Sequence, residues 1–177
     1  MFTATPFSLL VNCGNKIIAP LLDNRLAACD TDFMKKLPVK RLRQNAKQLE
    51  RKTAGSVGYD ISACLDDEIT IEPGETHMVG SGLAIALEPG HAAFIYARSG
   101  LGIKHGIIPA NCVGVIDSDY RGEVIVGLKN TSGTPFKVND GDRIAQMVIA
   151  KCVLPEVTLC DDLETTKRGD GGFGSTG

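Results

Sequence analysis

The C-terminal run Arg168-Gly169-Asp170-Gly171-Gly172-Phe173-Gly174-Ser175-Thr176-Gly177 sets a guanidinium, an aromatic ring and two hydroxyls among glycines. A glycine-rich backbone is flexible, and its bare N–H groups can close around an anion. An arginine at its entry can grip phosphate oxygens through a planar fork. Phe173 offers a flat face on which a ring can stack. The run reads as a lid for a phosphorylated, ring-bearing ligand. By composition alone a frayed C-terminus has the same look.

Four earlier segments are also denser in Gly, Asp, Arg and Ser than a structural strand needs. They are Ala54-Gly55-Ser56-Val57-Gly58-Tyr59-Asp60, Arg98-Ser99-Gly100-Leu101-Gly102, the run from Gly114 to Val124, and Gly141-Asp142-Arg143-Ile144-Ala145-Gln146-Met147. Singly, each has a plain structural reading. Gly-Asp-Arg suits a hairpin turn entering a strand. Arg-Ser-Gly suits a strand end followed by a capped helix. Asp117-Ser118-Asp119-Tyr120-Arg121-Gly122 suits a hairpin loop with acids as turn formers.

The elements that must position these segments read as β. Glu68–Glu72 alternates into Pro73-Gly74, and His77–Leu87 is apolar up to Glu88-Pro89-Gly90. Ala92–Ala97 places Phe94 and Tyr96 on one face of a strand. Gly122–Asn130 places Val124, Val126 and Leu128 on one face, and Ile144–Val153 is a further apolar run. Short strands punctuated by Pro-Gly, Ser-Gly and Asp-Gly predict an all-β sandwich or barrel. One short helix is expected around Gly100–His105.

Residues 1–33 have a different, irregular texture, and Met34 opens the run Lys35-Lys36-Leu37-Pro38. Three parts are therefore expected: an extension over 1–33 with Met34 as an alternative start, a β-barrel domain over 34–166, and the Gly-rich lid over 167–177. With 177 residues, 43% of them hydrophobic, the chain can bury one sizeable core. A formal charge of −2 gives no global case for nucleic-acid binding. The Lys and Arg residues from Lys35 to Lys52 read as a solvated strand and loop. The cysteines, Cys13, Cys29, Cys64, Cys112, Cys152 and Cys160, have neither C-x-x-C nor zinc-ligand spacing. They suit a reducing compartment. No apolar run has the length of a membrane span, and no secretory signal is evident, so a cytoplasmic protein without membrane partners is expected.

In combination the five segments, in this order and at these separations, closely resemble the five motifs of the trimeric dUTP nucleotidohydrolases, the dUTPases. The resemblance covers about residues 37–177. It implies a distorted jelly-roll barrel, a homotrimer with sites shared between subunits, and hydrolysis of dUTP to dUMP and diphosphate. That reaction limits uracil incorporation into DNA and supplies dUMP for thymidylate synthesis.

The resemblance also implies roles. Asp117 matches the catalytic carboxylate that orients and deprotonates the attacking water. Tyr120 matches the ring under the deoxyribose, which leaves no room for a 2′-OH. Asn111 and the backbone of Gly114, Val115, Ile116 and Asp117 match the hairpin that reads uracil. Arg98, Ser99 and Gly100 match a phosphate-gripping segment. Gln146 is expected near the phosphates, and Arg143 there or at a subunit interface. Asp60 matches a supporting acid. Arg168 is expected on the γ-phosphate and Phe173 on the uracil face, with Gly174, Ser175 and Thr176 closing on the substrate. Mg²⁺ is implied as a guest of the triphosphate and water, without direct protein ligands.

Two competing functions remain. A dCTP deaminase of the same fold would share the Asp117–Gly122 hairpin. It would then need a glutamate on the following strand, where this chain has Gly127. A nucleotide-sensing module without turnover would keep the site and lose the reaction.

Overall fold

The structure is a computed structural model, and it describes Met34 and residues 36–172. Contacts group the chain into Met1–Lys35 and Lys36–Gly177, and the fold below is that of the second unit. The expectations for residues 1–33 and for Phe173, Gly174, Ser175 and Thr176 lie outside the described residues.

Alternation decides the long strands. In Glu123–Asn130, Val124, Val126, Leu128 and Asn130 are buried while Ile125 and Lys129 are exposed, the period-two pattern of a strand with one face on a core. Its partner Thr76–Ile85 buries Val79 and then every residue from Ser81 to Ile85. In chain order the elements are β1 (Val39–Arg41), β2 (Tyr59–Ser62), β3 (Ile69–Ile71), β4 (Thr76–Ile85), β5 (His91–Tyr96), α1 (Ser99–His105), β6 (Ile107–Pro109), β7 (Gly114–Ile116), β8 (Glu123–Asn130), β9 (Phe136–Val138) and β10 (Arg143–Lys151).

Two four-stranded sheets, β1-β4-β8-β6 and β2-β10-β5-β7, are joined by the ribbon β3-β9, and every pairing is antiparallel. This is the all-β architecture that the strand pattern predicts, in the jelly-roll form that the resemblance implies. Ile61, Val79, Ile95, Val126, Leu128, Ile144 and Met147 fill its core. Each such side chain contributes about 1.5–3 kcal/mol by leaving water. Pro109, which has no N–H for a ladder, sits in β6 at a sheet edge, where that loss is tolerated.

Two local devices matter for the site. β4 shifts register against β8 between Gly80 and Ala84, and Gly82 there has φ +67°. A Cβ on Gly82 would lie 2.7 Å from both Ala46 Cβ and Cys64 Sγ, so only glycine fits this bulge. At the other end of β8, the fully buried Asn130 amide donates to the carbonyls of Ile71 and Thr134 at 2.8 Å each. Its Oδ1 accepts from Ser132 N–H and Oγ at 2.9 and 2.8 Å. This hub pins the β3-β9 ribbon to the main sheet.

The helix runs Ser99–His105 and ends at Gly106 in the left-handed conformation, with Lys104 and His105 in its last turn. The last apolar run is shorter than predicted: β10 ends at Lys151, and Val153 is 90% exposed. Cys152 N–H still donates to Gly90 C=O at 2.7 Å, and beyond it the chain leaves the sheet. Residues 153–172 form neither strand nor helix.

Candidate active site

Among the described residues, β7 has a strand partner on one side only. It pairs with β5 through Ala93↔Ile116, Phe94↔Val115 and Ile95↔Gly114 and is the edge of its sheet. An edge strand presents a row of backbone N–H and C=O groups to whatever lies beyond it. Gly114 is needed for this close packing: a Cβ there would lie 3.1 Å from Ile95 Cβ and 3.5 Å from Asn111 Nδ2. Asn111 stands in the turn before β7, where Cys112 has φ +63° and Val113 N–H donates to Asn111 C=O at 2.7 Å.

β7 runs directly into the turn that carries the acids. Tyr120 N–H donates to Asp117 C=O at 3.2 Å and closes it. Asp117 is exposed, and so is Asp119. The Tyr120 ring folds back over Gly122, where a Cβ would come within 2.4 Å of its hydroxyl, and that hydroxyl donates to Glu123 C=O at 3.1 Å. The ring is thereby held by the chain that launches β8.

These residues surround one cleft of about 490 Å³. Asn111, Gly114, Val115, Ile116, Asp117 and Tyr120 all line it, so the structure brings together the residues named for the hairpin, the base and the sugar ring. A concave site with an apolar lining and a few convergent polar groups suits a small ring-bearing ligand. The opposite wall comes from β4 and β8, with Thr76, Met78, Ile125 and Gly127. Of this wall the sequence reading named only Gly127, as the place of a deaminase's missing acid. The signal for the rest was present: Ile125 is apolar but out of phase with Val124 and Val126, and Met78 is out of phase with Val79. The two are 47% and 71% exposed.

A second group gathers on β2, β10 and the end of β5. Asp60 on β2 faces Gln146 on β10, which faces Tyr96 on β5. Asp60 Oδ1 accepts from Arg98 Nε at 3.0 Å, and its Oδ2 accepts from Arg143 Nη1 at 2.9 Å. Arg98 Nη1 also donates to Arg143 C=O at 3.1 Å. Gln146 Nε2 donates to Ala97 C=O at 3.0 Å, and a Cβ on Gly58 would lie 3.0 Å from Gln146 Oε1. Three of the five segments therefore meet in one polar cluster. Ser99 and Gly100 are the first residues of α1, ahead of the first bonds, which run from Leu101 and Gly102 N–H to Arg98 C=O. Two amides at a helix start beside a held guanidinium can receive an anion.

This cluster does not line the cleft of Asp117 and Tyr120. Arg168 is exposed and donates through Nε to Gly171 C=O at 2.8 Å, closing a local turn. Among the described residues no three His, Cys, Asp or Glu side chains converge as a metal cage. No helix there is long and apolar enough to cross a membrane.

A sequence profile of the dUTPase family matches residues 44–177. The chain is 52% identical over 126 residues to a deoxyuridine 5'-triphosphate nucleotidohydrolase of Paraburkholderia xenovorans, covering 71% of this chain and 85% of that one. It is 55% identical over 126 residues to the protein of the same name from Desulfitobacterium hafniense, covering 71% and 83%. Among solved structures it resembles a point-mutant dUTPase of Staphylococcus bacteriophage 80alpha with dUpNHpp. The TM-score is 0.74 at 26% identity, over 81% of this chain and 99% of that one. It also shares its fold with a mutant dUTPase of phage phi11 of S. aureus, whose structure concerns coordination of a structural Mg(II) ion. There the TM-score is 0.68 at 24% identity, over 73% and 99%.

Proposed function

The chain belongs to the dUTPase family, and from that premise we propose how its own residues hydrolyse dUTP to dUMP and diphosphate. Asp117 takes the proton of a water that attacks the α-phosphorus. A new P–O bond forms as the α-phosphorus to bridging-oxygen bond breaks, and diphosphate leaves. An exposed carboxylate at the mouth of a cleft suits a base that must meet both water and substrate. The observation that carries this reading is the cleft itself, where Asp117, the edge strand β7, Asn111 and Tyr120 converge.

Uracil lies along β7 and pairs with its outward backbone groups. Those groups, fixed in direction by the pairing to β5, meet cytosine with mismatched donors and acceptors. Tyr120 underlies the deoxyribose and excludes a 2′-OH. The triphosphate meets the start of α1 and Arg98, which Asp60 holds in place, with Gln146 and Arg143 beside them. Arg168, Phe173, Gly174, Ser175 and Thr176 close over it as a lid.

Mg²⁺ fits as a guest of the triphosphate. Water and phosphate oxygens would hold it, as the family resemblance implies, and this suits an Asp60 already bound to two guanidinium groups and an Asp117 assigned as the base. When bound it offsets the charge of the leaving diphosphate.

The assembly is a homotrimer with shared sites. The residues of the phosphate cluster are not among those that line the nucleoside cleft, which suits a site completed by groups from more than one copy. The arm after β10 supports this. Its Val153, Leu154, Val157, Leu159 and Leu163 are all at least 77% exposed, and a neighbouring copy would cover them. A cytoplasmic setting belongs to the same proposal, since Cys64, Cys112, Cys152 and Cys160 are free thiols.

The deaminase reading lacks its acid. Gly127 lines the cleft without a side chain, and a Cβ there would lie 3.2 Å from Met78 Sδ. Diphosphate release with Mg²⁺, compared across dUTP, UTP, dCTP and dTTP, tests the proposal. Release from dUTP alone is expected. Ammonia from dCTP, or dUTP binding without turnover, would replace it with the deaminase or the sensor.

A further inference from the structure

Glu123 joins the cleft to the β4 bulge. Its Oε1 accepts the Gly82 N–H at 2.7 Å, across 41 residues of sequence. The bulge is itself fixed from the other side, by Leu42 N–H on Gly82 C=O at 2.8 Å and by Cys64 N–H on Gly80 C=O at 2.9 Å. The carboxylate reaches it because residue 80 is glycine: a Cβ on Gly80 would lie 2.4 Å from Glu123 Oε1. The backbone carbonyl of the same residue accepts the Tyr120 hydroxyl at 3.1 Å. One residue thus ties the ring of Tyr120 to a rigid part of the barrel.

We propose that Glu123 is a positioning residue for sugar discrimination: its side chain anchors β8 to the bulge, and its carbonyl then fixes where the Tyr120 ring stands. The inference rests on the reading that Tyr120 senses the deoxyribose. A charge-assisted bond to a backbone amide is among the stronger hydrogen bonds available, so its loss lets the start of β8 and the ring shift together. A ring that yields by a fraction of an ångström admits a 2′-OH, and selectivity falls before fold does.

Two variants break the anchor by different routes. Glu123→Ala removes the carboxylate. Gly80→Ala leaves Glu123 intact but pushes the flexible carboxylate away. Both should lower the ratio of kcat/KM for dUTP over UTP by about tenfold, through a rise in UTP turnover and in dUTP KM. Both should also speed hydrogen exchange at the Gly82 amide. Glu123→Gln keeps an oxygen acceptor and should hold the ratio within about threefold of wild type. Glu123→Ala or Gly80→Ala protein that stays folded and fully selective overturns the proposal. Should Glu123→Ala fail to fold, Gly80→Ala decides alone. A wild-type protein with no dUTP turnover overturns the functional reading and this proposal with it. An active, selective wild type matched by a selective Gly80→Ala overturns only the role of Glu123.

Discussion

The carboxylate of Asp60 and the guanidinium of Arg98 meet at 3.0 Å with side chains only 15% and 23% exposed, and the same carboxylate holds Arg143 at 2.9 Å. Two cations share one partly buried anion. Asp60→Asn removes the charge and leaves the two guanidiniums facing each other. Part of the pair is open to solvent, so screening trims the effect to about 1–2 kcal/mol of stability. kcat/KM for dUTP should fall about tenfold or more, because Arg98 loses its orientation. Chemical denaturation and steady-state kinetics check this. Unchanged kinetics with lowered stability would reduce Asp60 to a structural role.

Asp117 is exposed and lines the cleft, and in the proposed reading its carboxylate holds none of the uracil, the sugar or the phosphates. Asp117→Asn should therefore cut turnover by about 10²–10⁴-fold and leave dUTP affinity nearly intact. Single-turnover diphosphate release and calorimetric binding separate the two quantities. Affinity that collapses in parallel would show that Asp117 binds rather than activates.

The large elements of this fold were legible because their signals are periodic. β8 shows its buried face in Val124, Val126 and Leu128, and the helix was readable from the stretch before Gly106. β1, β2, β6, β7 and β9 are three or four residues long, too short to carry a period of their own, and only pairing partners define them, whereas the equally short β3 was legible because the alternation runs on through Glu68 and Glu72. The cleft residues between Asn111 and Tyr120 were named through the family resemblance, and they lie close enough in sequence for one hairpin to carry them all into the cleft. The Asp60–Arg98–Arg143 cluster and the Glu123–Gly82 bond could not, since sheet register alone brings those residues together.

The buried Asn130 amide satisfies four partners, two of them carbonyls that only a donor can meet. Asn130→Asp sets an acceptor against Ile71 and Thr134 C=O. The expected cost is about 3 kcal/mol or more. Urea unfolding measures it through the midpoint at unchanged slope. A loss below about 1 kcal/mol would mean that the β3-β9 ribbon is held by something else.

Residues 167–170 are exposed, and the arm from Val153 adds neither strand nor helix to the barrel. Deleting residues 168–177 should leave the thermal midpoint of the protein within a few degrees of wild type, while kcat/KM for dUTP falls about 10²-fold or more. Scanning calorimetry beside the kinetic assay reads both. A truncated protein that no longer folds would give the tail a structural role instead of a lid's.

Cys64 gives the fold a dependence on alkaline pH. Its thiol is 1% exposed, packs with Ala46 and Leu83, and donates to Asn45 Oδ1 at 3.1 Å. Burial pushes its pKa above the ordinary thiol value, and nearby Arg43 only partly opposes this. Because the folded pKa is the higher one, the stability linked to the neutral thiol is fully present below the unfolded pKa of about 8.5. It is lost as pH rises through the folded value. The thermal midpoint should decline above about pH 9, and Cys64→Ser should flatten that decline while lowering the midpoint at neutral pH. Alkylation with peptide mapping gives an independent readout: near pH 8 the exposed Cys112 and Cys160 should react well before Cys64. Equal labelling of all three would show that Cys64 is reached by reagent in the native state and would remove the basis for the alkaline decline.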